Sequence, residues 1–202
     1  FAGKIYCTNG TKDLTAVLLE DSGKIQMDDV KFINKKRAKQ HLPPIEPLYN
    51  LDDVANAIPR LTEVPYDTWT KIDDDIEVFY ADAGHIIGSA SVHVRITEDG
   101  KTEQISFSGD VGRYRDIILK SPETFPQADY VLIESTYGDS LHSDVFNTPE
   151  ELLEYINKTC VEKKGKLIIP AFSVGRTQEL LYFLNELYNE GSLPKIPVYV
   201  DS

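Results

Sequence analysis

The sequence predicts an α/β chain in two parts. From Ile76 to Phe107, apolar residues recur with a period of two, the mark of half-buried strands. From residue 149 to residue 200 the chain reads as helix, strand, helix and strand, the order of a parallel α/β unit. Between these stretches, around His142 to Thr148, the pattern breaks, so the parts are expected to be residues 1–142 and 143–202.

Each element follows from local chemistry. Gly3 to Thr8 reads as a strand, and Asp13 to Glu20 as a helix with a carboxylate in its first turn, where the helix dipole favours it. Ile25 to Lys39 reads as a second helix, and Leu42-Pro43-Pro44 forces an extended connection. Asp52 and Asp53 open a short helix that stops near Pro59. Ile76, Val78 and Tyr80 alternate along one strand. Ala90, Val92, Val94 and Ile96 alternate along the next, opposite Ser91, His93 and Arg95. That alternation places His93 on the solvent side. Glu98-Asp99-Gly100-Lys101 is a hairpin signal, and Gln104 to Phe107 returns as the partner. Tyr130 to Ile133 reads as a buried strand. A helix is expected from Pro149 to Lys164, capped by Asn147 or Thr148 and closed by Gly165. Lys166 to Pro170 is expected as a buried strand, Thr177 to Tyr188 as an apolar helix ended by Gly191, and Ile196 to Val200 as a last strand.

Bulk properties narrow the function. With 21 basic and 33 acidic residues the net charge is −12, which counts against a broad basic surface that grips nucleic acid by charge alone. The densest basic cluster, Lys31, Lys35, Lys36, Arg37 and Lys39, reads as a solvated helix face. Cys7 and Cys160 form neither a CxxC pair nor a disulfide framework, and are expected as reduced thiols of a cytoplasmic protein. No apolar run is long enough to cross a bilayer, so no membrane partner is expected. Phe1 approaches a strand and Ser202 follows an apolar run, so both ends read as cut from a longer chain.

Four segments could carry chemistry. His85 lies in a loop between Gly84 and Gly88, and Asp110 between Gly109 and Gly112. A hairpin turn centred near Asp99 and Gly100 sets Asp110 opposite Ser89, so both loops reach one end of the sheet. An imidazole and a carboxylate there suit zinc, although either residue alone reads as ordinary loop packing or turn capping. Glu134 ends a predicted strand, where α/β sheets place their sites, and a solvated acid is an equal alternative. Arg176 follows Gly175 at a strand-to-helix turn that could hold phosphate, against the plainer reading of an arginine paired with an acid. His142 follows Glu134 closely enough to approach the same site, whereas His41 reads as solvated.

Together, Ala83 to Ala90, Phe107 to Arg113, Ile133 to Asp139 and Pro170 to Leu181 resemble, in this order, the β-CASP branch of the metallo-β-lactamase nucleases. The resemblance extends over nearly the whole chain, including Leu42-Pro43-Pro44 and Glu46-Pro47-Leu48-Tyr49. It implies part of a metallo-β-lactamase αββα sandwich followed by the start of a parallel α/β β-CASP domain. It further implies zinc-dependent hydrolysis of RNA, with two zinc ions and a single-stranded RNA substrate. His85 matches a zinc ligand, Asp110 the aspartate bridging both zincs, and Glu134 an acidic catalytic residue close to the metals. Arg176 matches a segment near the interdomain cleft and is assigned to RNA phosphate contact.

The superfamily's main metal motif, H-x-H-x-D-H, is absent, and so are two later β-CASP histidine motifs. In the family these fall before Phe1 and after Ser202, so the isolated chain is expected to lack activity. Exposed apolar sheet surface then leaves a homo-oligomer open. Two other parents fit less well: a non-catalytic RNA-binding paralogue and a hydrolase of small esters.

Overall fold

The computed structural model describes residues 2–114, 116–140 and 149–201. The chain divides into two compact units, Phe1–Glu134 and Ser135–Ser202. The boundary expected at residue 142, the caps Asn147 and Thr148, and His142 itself lie outside the described residues.

In the first unit, strand β1 (Ile5–Cys7) leads into helix α1 (Asn9–Lys39). The Thr8 side chain caps α1 by accepting from the Thr11 amide. The two helices expected at 13–20 and 25–39 are therefore one helix of 31 residues that begins at Asn9 and passes through Gly23. Gly23 is buried, and a β-carbon there would stand 3.4 Å from Leu51 of the next helix, so packing outweighs its poor helix propensity. Helix α2 (Leu51–Ala57) has Asp52 and Asp53 in its first turn as expected, opens with a reciprocal cap between Asn50 and Asp53, and is followed by a 3₁₀ turn at Ile58–Arg60. Strand β2 (Leu61–Glu63), too short to show a period, pairs in parallel with β1.

The main sheet has the order β3-β4-β5-β6-β7, with β3 Thr70–Lys71, β4 Ile76–Asp82, β5 Ala90–Glu98, β6 Lys101–Phe107 and β7 Tyr130–Leu132. Asp99 (φ 50°) and Gly100 (φ 75°) form the two-residue turn between β5 and β6. This turn sets the register at Glu98 opposite Lys101 and Val92 opposite Phe107. One face buries Val78 and Tyr80 with Val64, backed by Tyr6, Tyr66, Ile72, Ala90, Val92 and Val94. Each of the three central side chains contributes about 1.5–3 kcal/mol by leaving water.

The other face is covered as well, and this corrects the expectation for His93. Its ring is fully buried, edge-on to Phe79 and Phe125. Its Nε2 lies 3.1 Å from Ser91 Oγ and its Nδ1 2.6 Å from Ser106 Oγ, both serines also being buried. The side expected to face solvent is occupied by Phe125 and by Gln127, whose carbonyl accepts from the Gln104 side chain. Neutral imidazole offers one donor and one acceptor, and two rotatable hydroxyls satisfy both. Burial pushes the His93 pKa below its ordinary value.

Strand β7 forms where expected but is not buried: Tyr130, Val131 and Leu132 are each more than half exposed. It pairs with β6 on one side, and among the described residues no strand pairs its other edge.

In the second unit, helix α3 (Pro149–Ile156) continues as a π-helical turn, Asn157–Glu162, and helix α4 (Arg176–Asn189) buries Phe183 and Leu187. Gly191 (φ 73°) closes α4 as expected. The strands expected at 166–170 and 196–200 are not formed among the described residues. Their apolar side chains are instead open, Ile168 at 83% and Tyr199 at 87% exposure. An extended segment becomes a strand only when a neighbour takes up its N–H and C=O groups.

Candidate metal centre

The β5–β6 register delivers two loops to one end of the sheet. Continued past Val92 and Phe107, it sets Asp110 opposite Ser89. The observed outcome is His85 Nε2 at 3.8 Å from Asp110 Oδ2, with both side chains open to solvent. The loops are also locked to each other: the Gly112 amide donates to the Ala83 carbonyl at 2.7 Å. A β-carbon at Gly112 would meet the Gly84 carbonyl oxygen at 1.7 Å, so only glycine allows this approach.

Inside the first loop, Ser89 Oγ accepts from the amides of His85 and Ile86, at 3.0 and 3.2 Å. The Tyr66 hydroxyl donates to the Ser89 carbonyl at 3.0 Å. Inside the second, Glu134 Oε1 accepts from the Val111 amide at 2.7 Å, and the Glu134 amide donates to Ser108 Oγ at 2.9 Å. Glu134 thus braces the residue that follows Asp110. His85 and Asp110 are brought together, and Glu134 reaches the amide of the residue after Asp110. From sequence, Ser89 and Gly112 entered only as loop neighbours of His85 and Asp110, and Tyr66 not at all, since their partners follow from the folded register.

His85 and Asp110 suit zinc in donor type. Ligand atoms on a tetrahedral zinc stand roughly 3.3 Å apart at ordinary bond lengths, so a small rotation from 3.8 Å accommodates it. They are two donors where a closed site takes four. Among the described residues no group of three His, Cys, Asp or Glu side chains converges on one point. Cys7 and Cys160 are free thiols, Cys7 buried and Cys160 partly so. His41 is exposed, as expected.

Arg176 lies in the second unit. Its guanidinium pairs with Glu179 at 2.6 Å, the plainer of the two expectations for it. The turn before α4 is held by its own neighbours: the Gly175 amide donates to Gln178 Oε1, and the Thr177 hydroxyl to the Phe172 carbonyl. No helix among the described residues is long and apolar enough to cross a membrane.

No family model matches the chain. Similarity to individual proteins spans all of it. The chain is 34% identical over 203 residues to ribonuclease TTHA0252 of Thermus thermophilus, covering 100% of itself and 41% of that protein. It is 33% identical over 204 residues to the transcription termination factor FttA of Methanosarcina mazei, covering 100% of itself and 29% of that protein. The RNase J-like protein of Methanocaldococcus jannaschii is 32% identical over 201 residues, with 98% of the chain and 42% of that protein covered. The chain belongs to the β-CASP family. It spans about two fifths or less of the length of the relatives it matches. In this β-CASP segment, the two loops at the sheet end coincide with the residues whose motifs first suggested the family.

Proposed function

We propose that the whole protein hydrolyses RNA phosphodiester bonds with zinc, and that this segment supplies His85 as a ligand of one ion and Asp110 as the bridge between two. The observation that carries the reading is the 3.8 Å approach of His85 Nε2 to Asp110 Oδ2, in a chain whose relatives include proteins named ribonucleases. The five-stranded sheet belongs, on this reading, to an αββα sandwich. Bound zinc supplies Lewis acidity toward phosphate and a water of lowered pKa. Asp110 holds its carboxylate at the open end of the sheet, where single-stranded RNA can reach it. His85 presents Nε2 from a loop whose amides are satisfied by Ser89. Glu134 keeps the Asp110 loop in register through the Val111 amide. Arg176 is assigned to a backbone phosphate, with Glu179 as its partner in the absence of RNA.

The test is His85→Ala in the full-length protein. Wild type is expected to bind roughly two zinc ions per chain, and the variant to bind about one fewer and to lose chelator-sensitive RNA cleavage. Unchanged zinc content and cleavage would reject the assignment. The similarity to termination factors supports a second reading, RNA binding without cleavage. In that case, wild type binds single-stranded RNA and leaves it intact with zinc supplied.

A further inference from the structure

The loop that carries His85 is fastened to a distant part of the chain by contacts that the zinc reading does not itself require. The Gly88 carbonyl accepts from Thr8 Oγ1 at 2.7 Å and from Thr11 Oγ1 at 2.8 Å, across 80 and 77 residues of chain. A carbonyl oxygen has two lone pairs, one for each hydroxyl; the two hydroxyls also lie 3.0 Å apart, so the single Thr8 proton is shared between the Gly88 carbonyl and Thr11 Oγ1 while Thr11 donates to Gly88. Thr8 Oγ1 keeps its own lone pair for the Thr11 amide, at 3.2 Å. The same atom therefore caps α1 and fastens the loop. The backbones are in contact here as well: a β-carbon at Gly10 would stand 3.0 Å from Gly88 Cα, and one at Gly88 would stand 2.3 Å from the Thr11 amide nitrogen. Gly88 has φ 85°, a conformation that glycine adopts freely. Thr8 is almost wholly buried, so water does not compete for its hydroxyl. Tyr66 fixes the next residue by donating to the Ser89 carbonyl. Its phenol is a donor at neutral pH as any tyrosine is, and burial, opposed by Thr8 and assisted by Asp82 and Glu123, raises its pKa further.

We infer that Thr8 and Thr11 are positioning residues: they latch the first turn of α1 to Gly88 and so hold the His85 imidazole where it meets the Asp110 carboxylate. Ser89, whose hydroxyl receives the His85 and Ile86 amides, follows directly after the latched carbonyl. A loop held only by those internal bonds could swing as a unit. Fastened at Gly88, it cannot carry His85 away from Asp110 without breaking hydrogen bonds to α1. The metal consequence rests on the zinc reading above, whereas the conformational consequence does not.

The experiment compares full-length wild type with Thr11→Val and Thr11→Ser. Valine keeps the shape and the Thr8 cap but removes one latch bond, and serine restores the hydroxyl. Hydrogen exchange followed by mass spectrometry reads the loop, and competition with a zinc chelator reads the metal. In Thr11→Val, exchange over residues 84–89 is expected to rise about tenfold, the effect of one lost hydrogen bond, with residues 92–106 unchanged. Zinc affinity is expected to fall about tenfold, and Thr11→Ser to recover both. Wild-type exchange over 84–89 in Thr11→Val overturns the latch, and so does a rise spread evenly over the first unit. If wild type binds no zinc, the zinc reading fails, and the exchange result alone decides the latch.

Discussion

The loops around His85 and Asp110 are closed by partners far away in the chain, whereas the loop before α4 is closed by its own neighbours. At the sheet end, Gly88 is held by Thr8 and Thr11, Ser89 by Tyr66, and Val111 by Glu134. Before α4, the bonds run from Gly175 to Gln178, from Thr177 to Phe172 and from Gln178 to Ser173, none spanning more than five residues. A turn closed locally forms whatever surrounds it. A site braced from several elements holds its side chains to a geometry, as chemistry at a fixed point requires. The difference ranks the two regions: His85 and Asp110 stand 3.8 Å apart on loops braced from several elements, whereas Arg176 is paired with Glu179 in a self-contained turn.

The largest expected effect comes from forcing the two site loops apart. Gly112→Ala puts a methyl group into the Gly84 backbone, and should cost about 3 kcal/mol and abolish zinc binding. Thermal melting and metal analysis check this, and a variant that melts and loads like wild type would mean that the loops do not depend on each other.

Glu134 sharpens the same point. Glu134→Ala leaves the Val111 amide without its carboxylate and should lower zinc affinity about tenfold. Glu134→Gln retains an acceptor oxygen and should retain most activity if bracing is its role. A fall of about a hundredfold or more in the glutamine variant, with zinc content kept, would instead assign it proton transfer.

His93 separates the sheet from the site by pH. Its folded pKa is depressed by burial, so the unfolded chain binds the extra proton first as pH falls. The stability it contributes is complete above about pH 6.5 and is lost as pH falls from there through the depressed folded value. The slope in that window is at most about 1.4 kcal/mol per pH unit for one proton. Melting curves of wild type and His93→Gln, compared between pH 5 and 8, should differ in this slope; parallel curves would remove His93 from the acid response.

The smallest effect belongs to Arg176. Arg176→Ala should cost less than about 1 kcal/mol of stability, since its partly exposed pair with Glu179 is screened by solvent. If Arg176 meets a phosphate, the salt dependence of RNA binding should lose about one unit of slope. An unchanged slope would leave Arg176 as the partner of Glu179 alone.

Much of the site was legible because it depends on local rules. The Asp99-Gly100 turn sets the hairpin register, and the register places His85 and Asp110 at one sheet end. The start of α2 is written in Asp52 and Asp53, which stand in its first turn. What escaped was set by contacts made after collapse. His93 alternates like a surface residue, and only the segment carrying Phe125 and Gln127 makes its side of the sheet an interior. The helices expected at 13–20 and 25–39 run together as α1, with Gly23 between them buried against Leu51 and Val54 of α2.

The sequence by itself determined the β4–β5–β6 pattern, the turn that registers it, and the arrival of His85 and Asp110 at one sheet end, because side-chain period and turn chemistry act over a few neighbouring residues. Tertiary structure decided which faces are buried, that Thr8 and Thr11 reach Gly88, and that the apolar runs at 166–170 and 196–200 remain unpaired among the described residues. Each of these depends on a partner tens of residues away, or on the lack of one, and no local period encodes that.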